Sequence, residues 1–327
     1  MKRSDFLRLC GGMLLATQLP KAVWAQANKP TDGPQSLKNI RRITINAGAT
    51  KPFGALHISD THLTRVDERD NERKKSLSAA RQRAFKWAEH YFDAAIRYAR
   101  ERDLMLLHTG DLIDFVSDAN LDFVAMQLGV GSWFASAGNH EYSQYVGEAR
   151  EDAAYRMQSY TKVQSAFPND LTVASRVING VNFVAIDDGY YNVTAEQHEA
   201  VKREMEKGLP VVLMCHVPLY TPQHCQTILK GNGGVAGYMT GAPLSITETY
   251  QQDPSRPASE QWRNRTVQQR AEQSTLDFIA WLKEQPQLKA ILCGHCHDFF
   301  EERFSPTAVQ YTVEAGYKGG AYEIEFV

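Results

Sequence analysis

Five short segments gather side chains able to hold a metal ion. They are Asp60-Thr61-His62, Gly110-Asp111-Leu112-Ile113-Asp114, Gly138-Asn139-His140-Glu141, His216-Val217-Pro218 and Gly294-His295-Cys296-His297. With Asp114, His140 and Glu141 set aside, they offer two carboxylates, one amide oxygen and four imidazoles. Such a mixed nitrogen and oxygen set suits first-row divalent ions such as Mn, Fe or Zn, whereas Ca takes all-oxygen cages. The supply exceeds what one tetrahedral ion needs. A carboxylate shared between two ions accommodates the surplus.

Each segment directly follows an apolar run that reads as a strand, at residues 55–59, 104–108, 133–137, 210–215 and 290–293. Strand ends are where α/β sheets present ligands to a crevice. Further strands are predicted at 41–47, 180–186, 309–313 and 321–326. A long charged segment from 70 to 102 has Ala84, Trp87, Ala88, Tyr91, Ala95 and Tyr98 at helical spacing. Helices are also predicted over 118–128, 195–207 and 272–283. Residues 221–261 are rich in Gly, Pro, Thr, Ser and Gln without a sustained period. A long irregular stretch of this kind is expected to act as a lid or binding loop.

The 327 residues include 36 Lys and Arg against 38 Asp and Glu, and 43% are hydrophobic. That composition excludes a disordered or fibrous chain. The net charge of −2 argues against a nucleic-acid footprint, which would be basic. Five cysteines are too few for a disulfide scaffold. Residues 1–27 read as an export signal, with Lys2, Arg3 and Arg8, a short apolar run, and Ala25-Gln26-Ala27 as a cleavage site. The stretch Lys2-Arg3-Ser4-Asp5-Phe6-Leu7-Arg8 resembles a twin-arginine signal with Lys at the first arginine, and a general secretory signal fits as well. The apolar run is too short to span a bilayer. A periplasmic or secreted location is therefore expected. Residues 28–53 are then a linker and an opening strand, and 54–327 the folded domain.

The order of the five segments resembles the calcineurin-like metallophosphoesterase superfamily, from about Ala55 to Tyr322 and most weakly at 221–261. The resemblance implies an α/β fold, a four-layer αββα sandwich of two mixed β-sheets flanked by helices. It also implies two divalent metal ions. Asp60, His62, Asp111 and His297 would hold the first, and Asp111 would bridge to a second held by Asn139, His216 and His295. A hydroxide between the ions would attack a phosphate ester. His140 would stand near the leaving oxygen as general acid or charged stabiliser, oriented by Asp114. A small-molecule phosphate ester is the expected partner. Monoester and diester, including a cyclic nucleotide, remain open, as does a metal-stabilised binding protein without turnover. The oligomeric state is not legible. Tyr142, Tyr220 and His224 are candidate substrate contacts, with Tyr238 and Tyr250 beside them in the insert. The tyrosine ligand of purple acid phosphatases is missing from Leu112-Ile113-Asp114-Phe115.

Five other histidines have plainer readings. His57 and His108 each lie three residues before a ligand candidate, an odd offset that puts them on the opposite face of their strands. His90 and His198 fall on predicted helices, and His224 lies in the insert. Cys215 and Cys293 read as small core residues.

Overall fold

The apolar runs form two sheets. The first contains β1 (Asn39–Ile45), β2 (Phe53–Ile58), β3 (Met105–Thr109), β4 (Trp133–Ser136) and β11 (Gly320–Phe326), in the order β1-β11-β2-β3-β4. Strands β2, β3 and β4 run parallel, and β11 runs antiparallel to β2. The second contains β5 (Val173–Ile178), β6 (Val181–Ile186), β7 (Val211–Met214), β8 (Leu288–Cys293), β9 (Phe300–Arg303) and β10 (Val309–Thr312), in the order β5-β6-β7-β8-β10-β9. Here β6, β7, β8 and β10 are parallel, and the edge strands β5 and β9 are antiparallel to their neighbours. This computed structural model describes residues 33–129, 132–143, 146, 153–254, 261 and 271–327. The export signal expected at 1–27 lies outside them.

Every residue of β3, β4, β6 and β7 is buried, because these strands are covered on both faces. Between the sheets, Ala55, Leu107 and Phe134 of the first meet Phe183, Met214 and Leu292 of the second. Outside the first sheet, Phe92 and Ala95 of helix α2 (Ala88–Glu101) and Leu121 and Val124 of α3 (Asp118–Leu128) pack on Leu56 and Leu106. Outside the second, Val201 and Met205 of α5 (Ala195–Met205) and Phe278 and Leu282 of α8 (Gln273–Lys283) cover Leu213 and Ile291. The result is the helix-sheet-sheet-helix sandwich that the resemblance implies. Among the described residues, no helix is long and apolar enough to cross a membrane.

Three expectations change. The single helical segment over 70–102 is two helices, α1 (Glu72–Ala84) and α2. Helix α1 buries only Ser78, whereas α2 buries a full face including Tyr91, Phe92, Ala95 and Ala99, so one continuous helix could not serve both. Helix α4 (Ala153–Gln164) and the edge strands β5 and β9 were not foreseen; the two strands are only partly buried and lack a strong apolar run. The described part of the insert is regular in two stretches and irregular between and after them. It forms α6 (Pro222–Gly231) and the short α7 (Leu244–Thr247), with a small cluster of Ala236 and Tyr250 against Leu229, Val235 and Ile246. Pro222 opens α6, and Glu302 accepts its free N–H groups from Gln223 and His224 at 3.2 and 2.9 Å.

His57 and His108 lie in this core rather than among the metal-ligand candidates. His57 Nε2 is 2.8 Å from Thr109 Oγ1, and His108 Nε2 is 3.0 Å from Thr61 Oγ1. Burial lowers both pKa values from 6.5 to about 3, with His108 adding to the effect on His57. Well above pH 6.5 both rings are neutral in the folded and unfolded chains alike. As the pH falls from 6.5 toward 3, the unfolded chain takes up protons that the folded chain refuses, so stability is lost. Unfolding free energies from urea titrations should therefore decline across this window, and less steeply in His57→Gln. An unchanged slope in that variant would count against the argument.

Candidate metal centre

The loops that leave β2 and β3 stay paired beyond the sheet. Asp60 N donates to Gly110 O, His62 N to Asp111 O and Leu63 N to Leu112 O. In the second sheet, Gly294 N donates to His216 O. All these loops emerge at the same ends of parallel strands, which brings residues 235 positions apart into contact. Two glycines make the approach possible. A Cβ on Gly138 would overlap Asp111 Oδ1, and one on Gly294 would overlap Asp60 Oδ2. Asp60, His62, Asp111, His295 and His297 all have left-handed backbones, with φ between 53° and 68°. That region is uncommon for residues other than glycine, and Asp and His are among those that enter it most readily.

Each carboxylate has one oxygen committed to a backbone N–H and one aimed inward. Asp111 Oδ1 accepts from His140 N at 2.8 Å, leaving Oδ2 3.1 Å from His216 Nε2 and 3.8 Å from His62 Nε2. Asp60 Oδ2 accepts from His295 N at 2.9 Å, leaving Oδ1 3.1 Å from His297 Nε2 and 3.8 Å from His62 Nε2. The imidazoles follow the same plan. His216 Nδ1 donates to the Thr109 carbonyl at 2.7 Å, and His62 Nδ1 lies 3.0 Å from Asp114 Oδ1. His295 Nε2 meets the Tyr191 hydroxyl at 2.7 Å, and His297 Nδ1 meets that of Tyr317 at 3.4 Å. Fixing the outer nitrogen by a carbonyl, carboxylate or hydroxyl is how histidine ligands are oriented toward an ion.

The inward nitrogens and oxygens crowd together. His216 Nε2 faces Asp111 Oδ2 at 3.1 Å, Asn139 Oδ1 at 3.1 Å and His295 Nδ1 at 3.2 Å. A single proton on that nitrogen can serve only one of these acceptors, whereas a cation can be shared by all of them. The donor set accordingly draws positive charge. Burial works against a charged His216, yet the Asp111 carboxylate raises its pKa to about 10. Burial also raises Asp60, but the surrounding imidazoles, His297 foremost, hold it well below the usual carboxylate range. His295 goes the other way, to about 3, through burial and the neighbouring His216 charge. Asp60, His62 and His297 form one group close enough to share a metal ion and Asp111, His216 and His295 another, while His62 also groups with Asp114 and His140. His297 is 31% exposed while Asp60, Asp111 and His216 are buried, so the cluster opens past His297.

His140 lies beside the cluster. Its Nδ1 donates to the Asp114 carbonyl at 2.8 Å and lies 3.2 Å from Asp114 Oδ1. Burial disfavours its charge, but Asp111 and Asp114 outweigh that and raise it to about 9. Asp114 is not devoted to His140 alone: it also holds His62 and the guanidinium of Arg81.

The three candidate substrate contacts fare differently. Tyr142 is buried, and its hydroxyl donates to Asp187 at 3.2 Å beside Arg156, so it belongs to the core under the His140 loop. His224 is buried too, its ring stacked on Phe300 at 4.2 Å where α6 packs on β9. Both are corrected to packing residues. Tyr220 is half-buried and donates its N–H to the Thr240 carbonyl. Tyr250 is buried within the insert, whereas Tyr238 faces His295 at 6.1 Å. Cys215, Cys225, Cys293 and Cys296 are all free thiols.

Several residues were missed. Glu141 accepts four backbone N–H groups, from Asp111, Leu112, Ile113 and Gly138, at 2.6–3.2 Å. Burial and the Asp111 charge raise it to about 7. Asp188 accepts from the N–H groups of His216 and Val217 and from the Thr240 hydroxyl, tying the insert to the cluster. The signal for Asp188 was present: Asp187-Asp188-Gly189 follows an apolar strand as the five recognised segments do. Arg81, Phe85, Tyr191 and Tyr317 had no comparable local signal.

The chain is similar to several solved structures at low identity. A dimetal phosphatase from Danio rerio is 15% identical, with 81% of this chain and 88% of that one covered and a TM-score of 0.43. A 5'-nucleotidase from Candida albicans is 13% identical, covering 87% of this chain but 48% of that one, with a TM-score of 0.38. A phosphopantetheinyl hydrolase from Mycobacterium tuberculosis is 11% identical over 81% and 90% of the two chains, with a TM-score of 0.40. No curated protein sequence matches the chain. The family description "Calcineurin-like phosphoesterase" matches residues 55–299, which include every donor described above. The chain therefore belongs to the calcineurin-like phosphoesterases, metal-dependent hydrolases of phosphoric ester bonds.

Proposed function

We propose that the protein hydrolyses a small phosphate ester at a two-metal site. Asp60, His62 and His297 would hold one ion, Asn139, His216 and His295 would hold the other, and Asp111 would serve both. The single observation that carries this reading is the position of Asp111 Oδ2, which faces His216 at 3.1 Å and His62 at 3.8 Å while its partner oxygen is tied to the backbone. When bound, two dications supply a deprotonated water as nucleophile and neutralise the phosphate oxygens. The protein's own residues do the rest. The buried carboxylates and the oriented imidazoles are held in place by the protein and would fix the ions before substrate arrives, so little reorganisation would accompany the reaction. His140, held at Nδ1 by Asp114, carries a proton on Nε2. That proton stabilises or protonates the leaving oxygen as the phosphorus–oxygen bond breaks. Mn, Fe or Zn suits the donors. The first 27 residues support action outside the cytoplasm.

A panel of aryl phosphate monoesters and diesters, each assayed with Mn, Zn and Fe, tests the reading. His140→Ala should lower turnover by about 10²-fold while metal content stays at two ions per chain. Unchanged turnover in that variant would remove His140 from the mechanism, and a wild type that turns over no member of the panel would point instead to a metal-stabilised binding protein.

A further inference from the structure

Helix α1 has no apolar stripe to hold it against the domain, and Ser78 is its only buried residue. What fastens it is polar and aromatic. Ser78 Oγ donates to the Thr64 carbonyl at 2.5 Å. One turn further on, Arg81 grips Asp114 with both arms of its guanidinium, Nε to Oδ2 at 2.6 Å and Nη2 to Oδ1 at 2.7 Å. Phe85, whose N–H closes the helix on the Arg81 carbonyl at 3.0 Å, lies flat on the His62 ring, with centroids 4.5 Å apart and planes 3° from parallel. The Arg81 guanidinium lies 4.9 Å from the Phe85 ring centroid. Every one of these anchors bears on the loop after β2 or on Asp114.

We propose that the C-terminal end of α1 is a positioning device for one metal of the pair, in which Arg81 and Phe85 together fix the direction of His62 Nε2. The inference rests on the two-metal reading above. The geometry is closed on three sides. Arg81 pins the orientation of the Asp114 carboxylate, and a guanidinium fork can do this where a single point charge cannot. The pinned Oδ1 sits 3.0 Å from His62 Nδ1 and sets the tilt of the ring. Phe85 covers the ring face and stops it from turning about its own bond. His62 Nε2 is thereby aimed at Asp60 and Asp111, 3.8 Å from an oxygen of each. The second group is oriented by other parts: His216 by the Thr109 carbonyl and His295 by the Tyr191 hydroxyl. Loss of Arg81 should therefore act on one ion and spare the other, which a general loss of folding would not do.

The test is titration of Mn²⁺ into the metal-free full-length protein, followed by calorimetry and by electron paramagnetic resonance, which separates a spin-coupled pair from a lone ion. Arg81→Gln should weaken one of two sites by about 10- to 100-fold, the range seen when the outer partner of a histidine ligand is removed. Its spectrum should show a lone ion at Mn²⁺ concentrations where the wild type shows a coupled pair. Arg81→Lys should recover part of the loss. Phe85→Leu should weaken the same site, and Tyr191→Phe the other. If Arg81→Gln fails to fold by circular dichroism, Arg81→Lys and Phe85→Leu carry the test. Wild-type affinity at both sites, or equal weakening of both, would overturn the proposal. A wild type that never forms a coupled pair would overturn the two-metal reading itself, and is distinguished by the same spectra.

Discussion

Asp111→Asn should weaken both ions together and lower phosphoesterase turnover by about 10⁴-fold. The wild-type Oδ2 faces His216 and His62, members of the two different groups, and the substitution removes the charge it offers to both. Two ions together contribute several kcal/mol of transition-state stabilisation. A loss of about 5 kcal/mol corresponds to nearly four powers of ten in rate. Asp60→Asn provides the contrast. Among the described residues, Asp60 Oδ1 meets His297 and His62, both of one group, so that change should reduce the occupancy of one ion. Metal content by elemental analysis, with kcat/KM on the same samples, checks both. Retention of one ion at wild-type affinity in Asp111→Asn would show that the oxygen is not shared.

Glu141→Ala should be the most destabilising single change in the site. Its carboxylate gathers the N–H groups of Asp111, Leu112, Ile113 and Gly138 in a position closed to solvent. A buried donor left without a partner costs ~1–3 kcal/mol. Even if water or local movement rescues half of them, about 4 kcal/mol of stability is lost, a large share of a typical domain's total. The same N–H groups shape the turns that present Asp111 and Asn139, so metal affinity should fall as well. Urea unfolding of the metal-free protein measures the first effect. A difference below about 1 kcal/mol would mean the four donors find other partners. Glu141→Gln should fall between, because one amide oxygen remains to accept.

The donors and the strands behind them were legible for one reason. Strands buried on both faces read as unbroken apolar runs, and the polar segment that ends such a run is conspicuous. Asp60, Asp111, Asn139, His216 and His295 all stand at such ends. Edge strands β5 and β9 lack that contrast, and they were missed. The groups that orient the donors were harder to read because their partners are remote in sequence. Phe85 lies in a polar stretch, and its role exists only because α1 stops there. Tyr317 meets His297 because Gly316 N and Tyr317 N pair with the carbonyls of Ser59 and Asp60 across more than half the chain. Tyr142 shows the reverse error. Its closeness in sequence to His140 suggested contact with substrate, but the short helical turn over His140–Tyr142 sends its ring into the core.

The two donor groups have a further property. Asp60 and His62 follow a strand of the first sheet and His297 a strand of the second; Asp111 belongs to the first, and His216 and His295 to the second. Each ion would thus join both halves of the sandwich and close a long chain loop, 235 residues between His62 and His297 and 77 between Asn139 and His216. An ion in that position acts as a reversible cross-link, and its strength follows mass action rather than bond energy. At a free concentration one hundred times its dissociation constant, one such ion adds about 2.7 kcal/mol to the stability of the whole fold. The resistance of this protein to unfolding would then be set partly by how much free metal its surroundings provide.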